Sequence, residues 1–249
     1  MLLRAVRHWT YSVPLIVIAL VVAIISVMWG GGIGGQQSST RTSQVVIGDG
    51  LDEFESLTAR DWVVKADHVI VATVTNEVEL PPAPQEVKLG EGLTGGRLTL
   101  SVDQVLWTSS APNTPPLSKM IAMDAVGWTF AGGVDNRSEF AVGNRARLEV
   151  NHRYVMALVA EACAAGTSWS TLGEYSVVPF DADVLGAGEF EGVPVEQQPL
   201  ESKMRAADPG SLRESVLGNK PEAIIRQLRD VSAASTGTSS AANVECGEG

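Results

Sequence analysis

Cysteine, histidine and positive charge are all scarce in this chain, and each scarcity narrows what the chain can be. The 249 residues include three histidines and two cysteines, Cys163 and Cys246. No C-x-x-C pair or Cys/His cluster occurs, so neither a zinc site nor a disulfide scaffold is expected, and a single Cys163–Cys246 bridge stays open. Lysine and arginine number 18 against 29 acidic residues, which gives a net charge of −11. Such a balance argues against binding to nucleic acid, which requires basic patches.

Charge is also absent from one long stretch, between Trp9 and Thr40. Within it, Val13–Trp29 is an apolar run that as a helix would be roughly 26 Å long. That length is close to the ~30 Å hydrocarbon core of a bilayer. Two arginines precede the run, so the positive-inside rule predicts a cytoplasmic N-terminus and an exported remainder. We expect Val13–Trp29 to hold the chain in the lipid bilayer of the cytoplasmic membrane as a single-pass signal-anchor, with cleavage near Gly34 as the alternative.

Composition divides the chain into five predicted segments. Beyond the apolar run lies a Gly-, Ser- and Gln-rich spacer, and the C-terminal end has little apolar surface to bury. All 29 acidic and 16 of the 18 basic residues follow Trp29, which gives the exported part a net charge of −13. The predicted segments are a cytoplasmic N-terminus (1–8), a transmembrane signal-anchor (9–29), a flexible linker (30–50), an exported β-rich domain with C-terminal helices (51–231) and a disordered tail (232–249).

Alternation of apolar and polar residues predicts several strands. Val69–Glu79 alternates and is rich in β-branched residues. Arg97–Trp107 also alternates, with a change of phase near Gln104 that indicates a β-bulge. Tyr154–Ala160 is apolar on both faces, as in a central strand that is covered on both sides. Further strands are predicted at Lys119–Asp124, Leu172–Phe180 and Val193–Val195.

Capping signals predict helices at both ends of the β-rich region. Thr58 is followed three residues later by Asp61, which indicates a short helix that buries Trp62. Ser211 begins a second capping box, and a later helix carries an apolar stripe over Ile224–Val231. Strands followed by helices are typical of the α+β class.

Two segments of the chain resemble strands of exported OB-like barrel domains. Ala66–Thr75 resembles the strand that opens such barrels, and Leu148–Leu158 resembles the strand that crosses them. Similar patterns occur in netrin-like and tissue-inhibitor modules and in bacterial membrane-anchored proteins. Ala72 and Asn151 replace the usual glycines and the inhibitors' cysteines are missing, so the resemblance implies no inhibitory function. It supports only the barrel interpretation. Together with the anchor and helices predicted above, we expect an α+β fold: an N-terminal transmembrane helix, then a mainly antiparallel five- to six-stranded OB-like barrel or sandwich with C-terminal helices.

Aromatic residues supply one set of candidate binding positions. Trp128 and Phe130 lie in an aromatic segment flanked by glycines. Tryptophan is common at binding interfaces, so together with Trp107 and Trp169 these residues could line a ligand surface. Packing in the core is the alternative for each of them.

Acidic and glycine-rich segments supply two weaker motifs. Asp181, Asp183 and Glu189 fit the first, third and ninth positions of a calcium-binding loop, although the twelfth position is Gly192. We interpret the segment as an acidic β-hairpin, with a weak extracellular cation site as the alternative. Gly90–Gly95 matches G-x-G-x-x-G, but it does not follow a strand and open a helix, so we predict a mobile loop there.

Motifs of common hydrolases are missing. The sequence contains no G-x-S-x-G, H-E-x-x-H or P-loop. We therefore predict a non-enzymatic, membrane-tethered extracytoplasmic binding module of the bacterial cell envelope, without a cofactor, whose ligand is an unidentified protein or cell-wall component. The alternative is an envelope hydrolase that uses His68 or His152 as a base.

Overall fold

A computed structural model describes residues 45–50, 54–163, 166–195 and 210–234. The predicted anchor, most of the linker, Cys246 and most of the predicted tail lie outside these residues. Within the described ranges, no helix has both the length and the apolar character needed to cross a membrane.

Ten strands and four α-helices make up the described part of the chain. The strands are β1 (Val46–Gly48), β2 (His68–Glu79), β3 (Glu91–Thr108), β4 (Met120–Ala131), β5 (Arg137–Val142), β6 (Arg153–Cys163), β7 (Gly166–Thr171), β8 (Val177–Pro179), β9 (Gly188–Phe190) and β10 (Val193–Val195). The helices are α1 (Ala59–Lys65), α2 (Pro84–Leu89), α3 (Leu212–Val216) and α4 (Glu222–Ala234). The described chain is thus mostly β-sheet with helices at its C-terminal end, as the α+β prediction requires.

Eight of the strands form one sheet, in the order β1-β5-β4-β3-β2-β6-β7, with β8 paired to β6. Strand β7 also pairs with β4, in parallel, at Met123 and Trp169. The path of paired strands through β4, β3, β2, β6 and β7 therefore returns to the strand where it started. Strands β9 and β10 form a separate antiparallel hairpin.

The pairing of β2 with β3 is irregular near Gln104. On β3 the register skips Leu106 and then Asp103, one on each side of Gln104. This confirms the predicted bulge. Extra residues on one strand bend it and increase its twist, so β3 can pair along its whole length with strands that curve.

Strand β6 separates two hydrophobic cores. Tyr154, Met156 and Leu158 face the first core, which is filled by side chains of β2, β3, β4 and β7. Val155 and Ala157 face the second core, which is filled by α1, α3 and α4 together with side chains of β2 and β8. This confirms the prediction that the central strand is covered on both faces.

Thr58 forms the predicted capping box, whereas Ser211 caps its helix without the reciprocal hydrogen bond, because the Glu214 carboxylate accepts from the Gly210 amide instead. The Thr58 hydroxyl accepts a hydrogen bond from the Asp61 amide at 3.2 Å, and the Asp61 carboxylate accepts one from the Thr58 amide at 2.7 Å. The helix that follows buries Trp62, as predicted. Before α3, the Ser211 hydroxyl accepts a hydrogen bond from the Glu214 amide at 2.9 Å.

Two predicted loops contain strands. Val46–Gly48, in the predicted linker, is a strand of three residues, too short to show an alternating pattern. In Gly90–Gly95, Gly90 ends α2 and the other residues begin β3. Gly90 adopts the left-handed conformation that ends α2, and Gly92 leaves space, since a Cβ there would lie 2.6 Å from the Cβ of Glu86 in α2.

Two other boundaries differ from the predictions. Leu172–Phe180 is not one strand, because a 3-10 turn at Glu174–Ser176 interrupts it. The Ser176 hydroxyl closes this turn by donating to the Gly173 carbonyl at 2.6 Å. At the C-terminal end, α4 runs to Ala234, three residues into the predicted tail.

Candidate functional site

His68 is a buried residue whose two ring nitrogens both have partners. Its Nε2 lies 2.8 Å from the Pro115 carbonyl oxygen, and its Nδ1 lies 3.1 Å from the Thr108 hydroxyl. Because a carbonyl can only accept, Nε2 carries the proton and Nδ1 accepts from the hydroxyl. The imidazole ring also packs against the Trp169 ring, with 5.4 Å between the two ring centroids. His68 thus holds the end of β3 and the connection to β4 against β2.

His152 forms a partly exposed pair with Asp181. Its Nδ1 lies 2.5 Å from the Asp181 carboxylate, whose other oxygen accepts from the Arg153 amide at 2.9 Å. Among the hydrogen bonds of the described residues, none joins a hydroxyl or thiol to the second nitrogen of His152. The two histidines lie at opposite ends of the β2–β6 ladder, since His68 pairs with Leu158 and His152 adjoins the last pair.

The four candidate aromatic residues do not form one surface. Trp169 and Phe130 are buried. Trp107 is half-buried against the core that contains the helices. Trp128 is half-buried and pairs with Thr94 near the start of β3, whereas Trp107 lies at its other end. The structure therefore separates the residues that the sequence grouped.

The three candidate metal ligands point to separate partners. Asp181 binds His152 as described above, and Asp183 accepts from the Arg153 guanidinium at 2.7 Å. Glu189 is fully buried elsewhere. Within the described ranges no group of three or more His, Cys, Asp or Glu side chains is arranged to hold a metal ion.

Glu189 belongs to a buried polar cluster that sequence reasoning missed. Its carboxylate accepts from the Tyr154 hydroxyl at 2.8 Å, from the Leu148 amide at 3.2 Å and from the Gly192 amide at 3.0 Å. Removal from water disfavours the charged form, so burial raises the pKa of Glu189 despite these hydrogen bonds. Burial, and then the adjacent carboxylate, also raise the pKa of Tyr154. The cluster joins the β9–β10 hairpin to β6.

A second buried charge, Arg147, lies in the connection between β5 and β6. Its guanidinium donates to the Glu149 carboxylate at 2.6 Å and to the Gly127 carbonyl at 2.9 Å, and it lies 3.5 Å from Glu77. Its guanidinium carbon also lies over the Trp128 ring, 5.3 Å from the ring centroid. Burial raises the pKa of Glu77, and Arg147 partly offsets that effect. These contacts tie the connection to β2 and β4.

The same connection contains three non-glycine residues in the left-handed region. Asn144, Leu148 and Asn151 have φ angles of 61°, 68° and 72°. Asparagine tolerates this conformation, but a leucine there is strained. Leu148 is buried in the core, and its amide is held by Glu189. Packing and buried hydrogen bonds thus fix the shape of the connection.

The outward face of β2, β3 and β4 carries polar side chains together with the exposed apolar residues Val78, Met120 and Val126. One cross-strand row is formed by Asn76, Thr99 and Ala122. The next row is formed by Val78, Arg97 and Asp124. Arg97 and Asp124 make two parallel hydrogen bonds, of 2.8 and 2.9 Å, and both side chains are at least half exposed. We call the residues of these two rows the open face.

No protein-family model matches this chain, and no curated protein matches it.

Proposed function

We propose that β2, β3, β4, β6 and β7 form an OB-like barrel. An OB fold is a five-stranded, partly open Greek-key barrel. Support comes from the ring of paired strands and from the core that lies inside it. Asn151 offers a second point of support. It stands where the resembling pattern has glycine, and its φ of 72° is a conformation that glycine favours and asparagine tolerates.

We further propose that the protein is a non-enzymatic binding module, tethered to the outer side of the cytoplasmic membrane, and that the open face is its ligand site. The open face is the observation that carries the proposal. OB-type barrels bind their ligands across the second and third strands of the barrel and the adjoining loops. In this chain those strands are β3 and β4, and both rows of the open face cross them.

The chemistry of the open face fits a protein or a cell-wall glycan. The small side chains of Thr99 and Ala122 leave room for an extended ligand to approach the strands, Val78 offers an exposed apolar contact, and the Arg97–Asp124 pair offers both donors and acceptors. The strongly acidic composition of the exported part makes a nucleic acid an unsuitable ligand.

Obstruction of the open face tests the proposal. The full chain is purified in detergent and mixed with insoluble cell-wall material or with solubilised envelope proteins. We expect the double variant Thr99→Arg/Ala122→Arg to reduce at least tenfold the fraction of the protein that stays bound to the cell-wall material or to the envelope proteins, which we call the retained fraction. As a matched control, Glu222→Arg adds a bulky cation at the exposed start of α4 and leaves the retained fraction unchanged. Equal retention of both variants would contradict the assignment of the site.

The His152–Asp181 pair favours a second candidate, an envelope hydrolase. A histidine oriented by a carboxylate is two-thirds of a catalytic triad. His152→Ala distinguishes the candidates: it abolishes turnover in a hydrolase, whereas a binding module retains its ligand on the open face. The assay measures release of soluble fragments from cell-wall material or model ester and peptide substrates.

A further inference from the structure

The open face is bordered by a third cross-strand row, which is apolar. The Leu80 amide donates to the Gly95 carbonyl at 2.8 Å, and Gly95 pairs with Val126. Each of these residues lies two positions along the chain from the second row of the open face, so the row points to the same side of the sheet. Val126 is 39% exposed, and Val78 in the second row is 54% exposed. We call Leu80, Gly95 and Val126 the apolar row.

Gly95 leaves the middle of the apolar row without a side chain. A Cβ at this position would lie 3.3 Å from the Leu80 Cδ1 atom and 3.3 Å from the Ala125 carbonyl oxygen. The side chain of Leu80 therefore lies beside this position on the outward face, and Val126 lies on its other side. The apolar row is a shallow depression with a floor of backbone and two aliphatic walls.

The pairing of β3 with β4 changes register directly beside this depression. Gly127, the residue after Val126, is skipped by the register, which resumes at Trp128. Such a β-bulge bends its strand, and bulges are over-represented next to active sites. A Cβ on Gly127 would lie 3.1 Å from the Gly95 carbonyl carbon. Glycine at both positions thus lets the two strands approach each other while the outward face stays open.

The charged groups beside the apolar row neutralise each other. Arg97 and Asp124 are joined by the two parallel hydrogen bonds described above, so the pair carries no net charge. A guanidinium has five N–H donors and a carboxylate has about four acceptor sites. The pair can therefore also donate to a backbone carbonyl and accept from a backbone amide, the two polar groups of a peptide unit.

The size of this surface decides between a whole folded protein and a short segment as its occupant. The three rows span roughly 13 Å along the strands, and the three strands span roughly 10 Å across them. A stable interface between folded proteins buries about 800 Å² on each partner, which is several times this area. An extended chain advances about 3.4 Å per residue, so about four residues of an extended segment cross the three rows.

The apolar row also decides between a peptide and a glycan. Sugar hydroxyl groups placed against Leu80 and Val126 would lose their hydrogen bonds to water without replacement, which costs free energy. An aliphatic side chain in the same place removes apolar surface from water on both partners, which is favourable.

We propose that the ligand of the open face is an extended segment of another protein. The segment packs an aliphatic side chain over Gly95, between Leu80 and Val126. Its backbone forms hydrogen bonds with the Arg97–Asp124 pair. The inference rests on the proposed function, which places the ligand on the open face, and it selects a protein over a glycan.

Selection of peptides by the full chain tests the proposal. The chain is purified and immobilised in detergent, and random short peptides displayed on phage are selected on it after depletion on protein-free support. We expect the selected peptides to share one aliphatic residue, whose replacement by serine raises the Kd at least tenfold. Val126→Asp in the chain raises the Kd by the same factor. Val105→Asp, at a valine of β3 that is 47% exposed and lies near the other end of the strand, is the matched control and leaves the Kd unchanged.

The remaining outcomes separate this inference from the proposed function. Peptides without a shared aliphatic residue, or a Kd that Val126→Asp does not change, overturn the inference. Retention on cell-wall material that Thr99→Arg/Ala122→Arg abolishes, with no peptide selected, assigns the open face to a glycan and overturns the inference alone. Peptide and cell-wall binding that neither variant changes overturns the inference and the proposed function together.

A second copy of the chain is the other occupant that the experiment detects. A concentration-dependent dimer that Val126→Asp dissociates, measured by sedimentation, assigns the face to a second copy and overturns the inference. Leu80→Ser provides a second reading of the peptide Kd should Val126→Asp not fold.

Discussion

At the scale of single residues, the most consequential groups are charges that the fold has removed from water. Glu189 and Glu77 both have pKa values raised by burial above the ordinary value of 4.5. A carboxyl group whose folded-state pKa is raised binds its proton more tightly in the folded state than in the unfolded state. Its contribution to stability is therefore complete below the unfolded pKa and is lost as the pH rises through the folded value.

We expect the free energy of unfolding to decrease as the pH rises from about 4.5 through the raised pKa values, by about 1.4 kcal/mol for each unit by which a pKa is raised. Glu189→Gln removes one of these titrations and so reduces the slope of the free energy of unfolding against pH. Glu222→Gln, at an exposed position, leaves the slope unchanged. Urea denaturation across this pH range measures all three proteins. A slope in Glu189→Gln equal to that of the unchanged chain would contradict the assignment.

Asn151 makes a second test at this scale. Its φ of 72° favours glycine, so Asn151→Gly should leave stability within about 0.5 kcal/mol. Asn151→Ala should cost about 1–2 kcal/mol, because alanine has no side-chain polar group to support the left-handed conformation. Asn76→Ala, in an exposed extended position, is the control. Thermal unfolding of the three variants measures their stabilities. Equal effects of alanine and glycine at position 151 would contradict the claim that the left-handed conformation sets the cost.

Residue roles were only partly predictable from the sequence. Trp128 stood out through its flanking glycines, but its partner Arg147 did not, because the ion pair of Arg147 with Glu77 joins residues far apart in the chain. Glu189 drew notice as a metal ligand, whereas it receives hydrogen bonds from Tyr154 and from backbone amides. Charge and spacing alone do not reveal which carboxylates become buried.

At the scale of elements, strand β6 shows where sequence patterns are reliable. Its continuous apolar run predicted burial on both faces, and the two cores on either side of it confirm this. The N-cap residues of α1 and α3, Thr58 and Ser211, were equally predictable, since their hydrogen bonds are local. Strand β1 was not predictable, because it pairs with β5, which is distant in the sequence. The turn that divides Leu172–Phe180 was not predictable either, because the hydrogen bond of the Ser176 hydroxyl to the Gly173 carbonyl overrides a weak strand pattern.

The two faces of the sheet should respond differently to truncation. Leu158→Ala should cost about 2–5 kcal/mol, the range for removing a buried leucine side chain. Thr99→Ala, on the open face, should cost under about 1 kcal/mol. Chemical denaturation of both variants measures the difference. A larger cost at Thr99 than at Leu158 would contradict the assignment of the interior face.

At the scale of the whole molecule, the membrane tether stays a prediction from the sequence. We expect a reporter that is active only outside the cytoplasm to work when fused after Gly249, and the full chain to remain in the membrane pellet. The reason is the apolar Val13–Trp29 run preceded by arginines. Recovery of a shortened form in the medium would instead indicate cleavage near Gly34. A fusion before Met1 provides the opposite control and should be inactive.

The contact that closes the ring of strands also bears on how the sheet opens. Strands β4 and β7 meet through a single residue pair, Met123 and Trp169, while the other neighbours in the ring share ladders of several pairs. Free energies of local opening vary across a protein, and the weakest contacts separate first. The β4–β7 junction is therefore the contact in the ring of strands that we expect to open most easily. Its amide protons should exchange with solvent before those of β2 and β6, and refolding should complete it last.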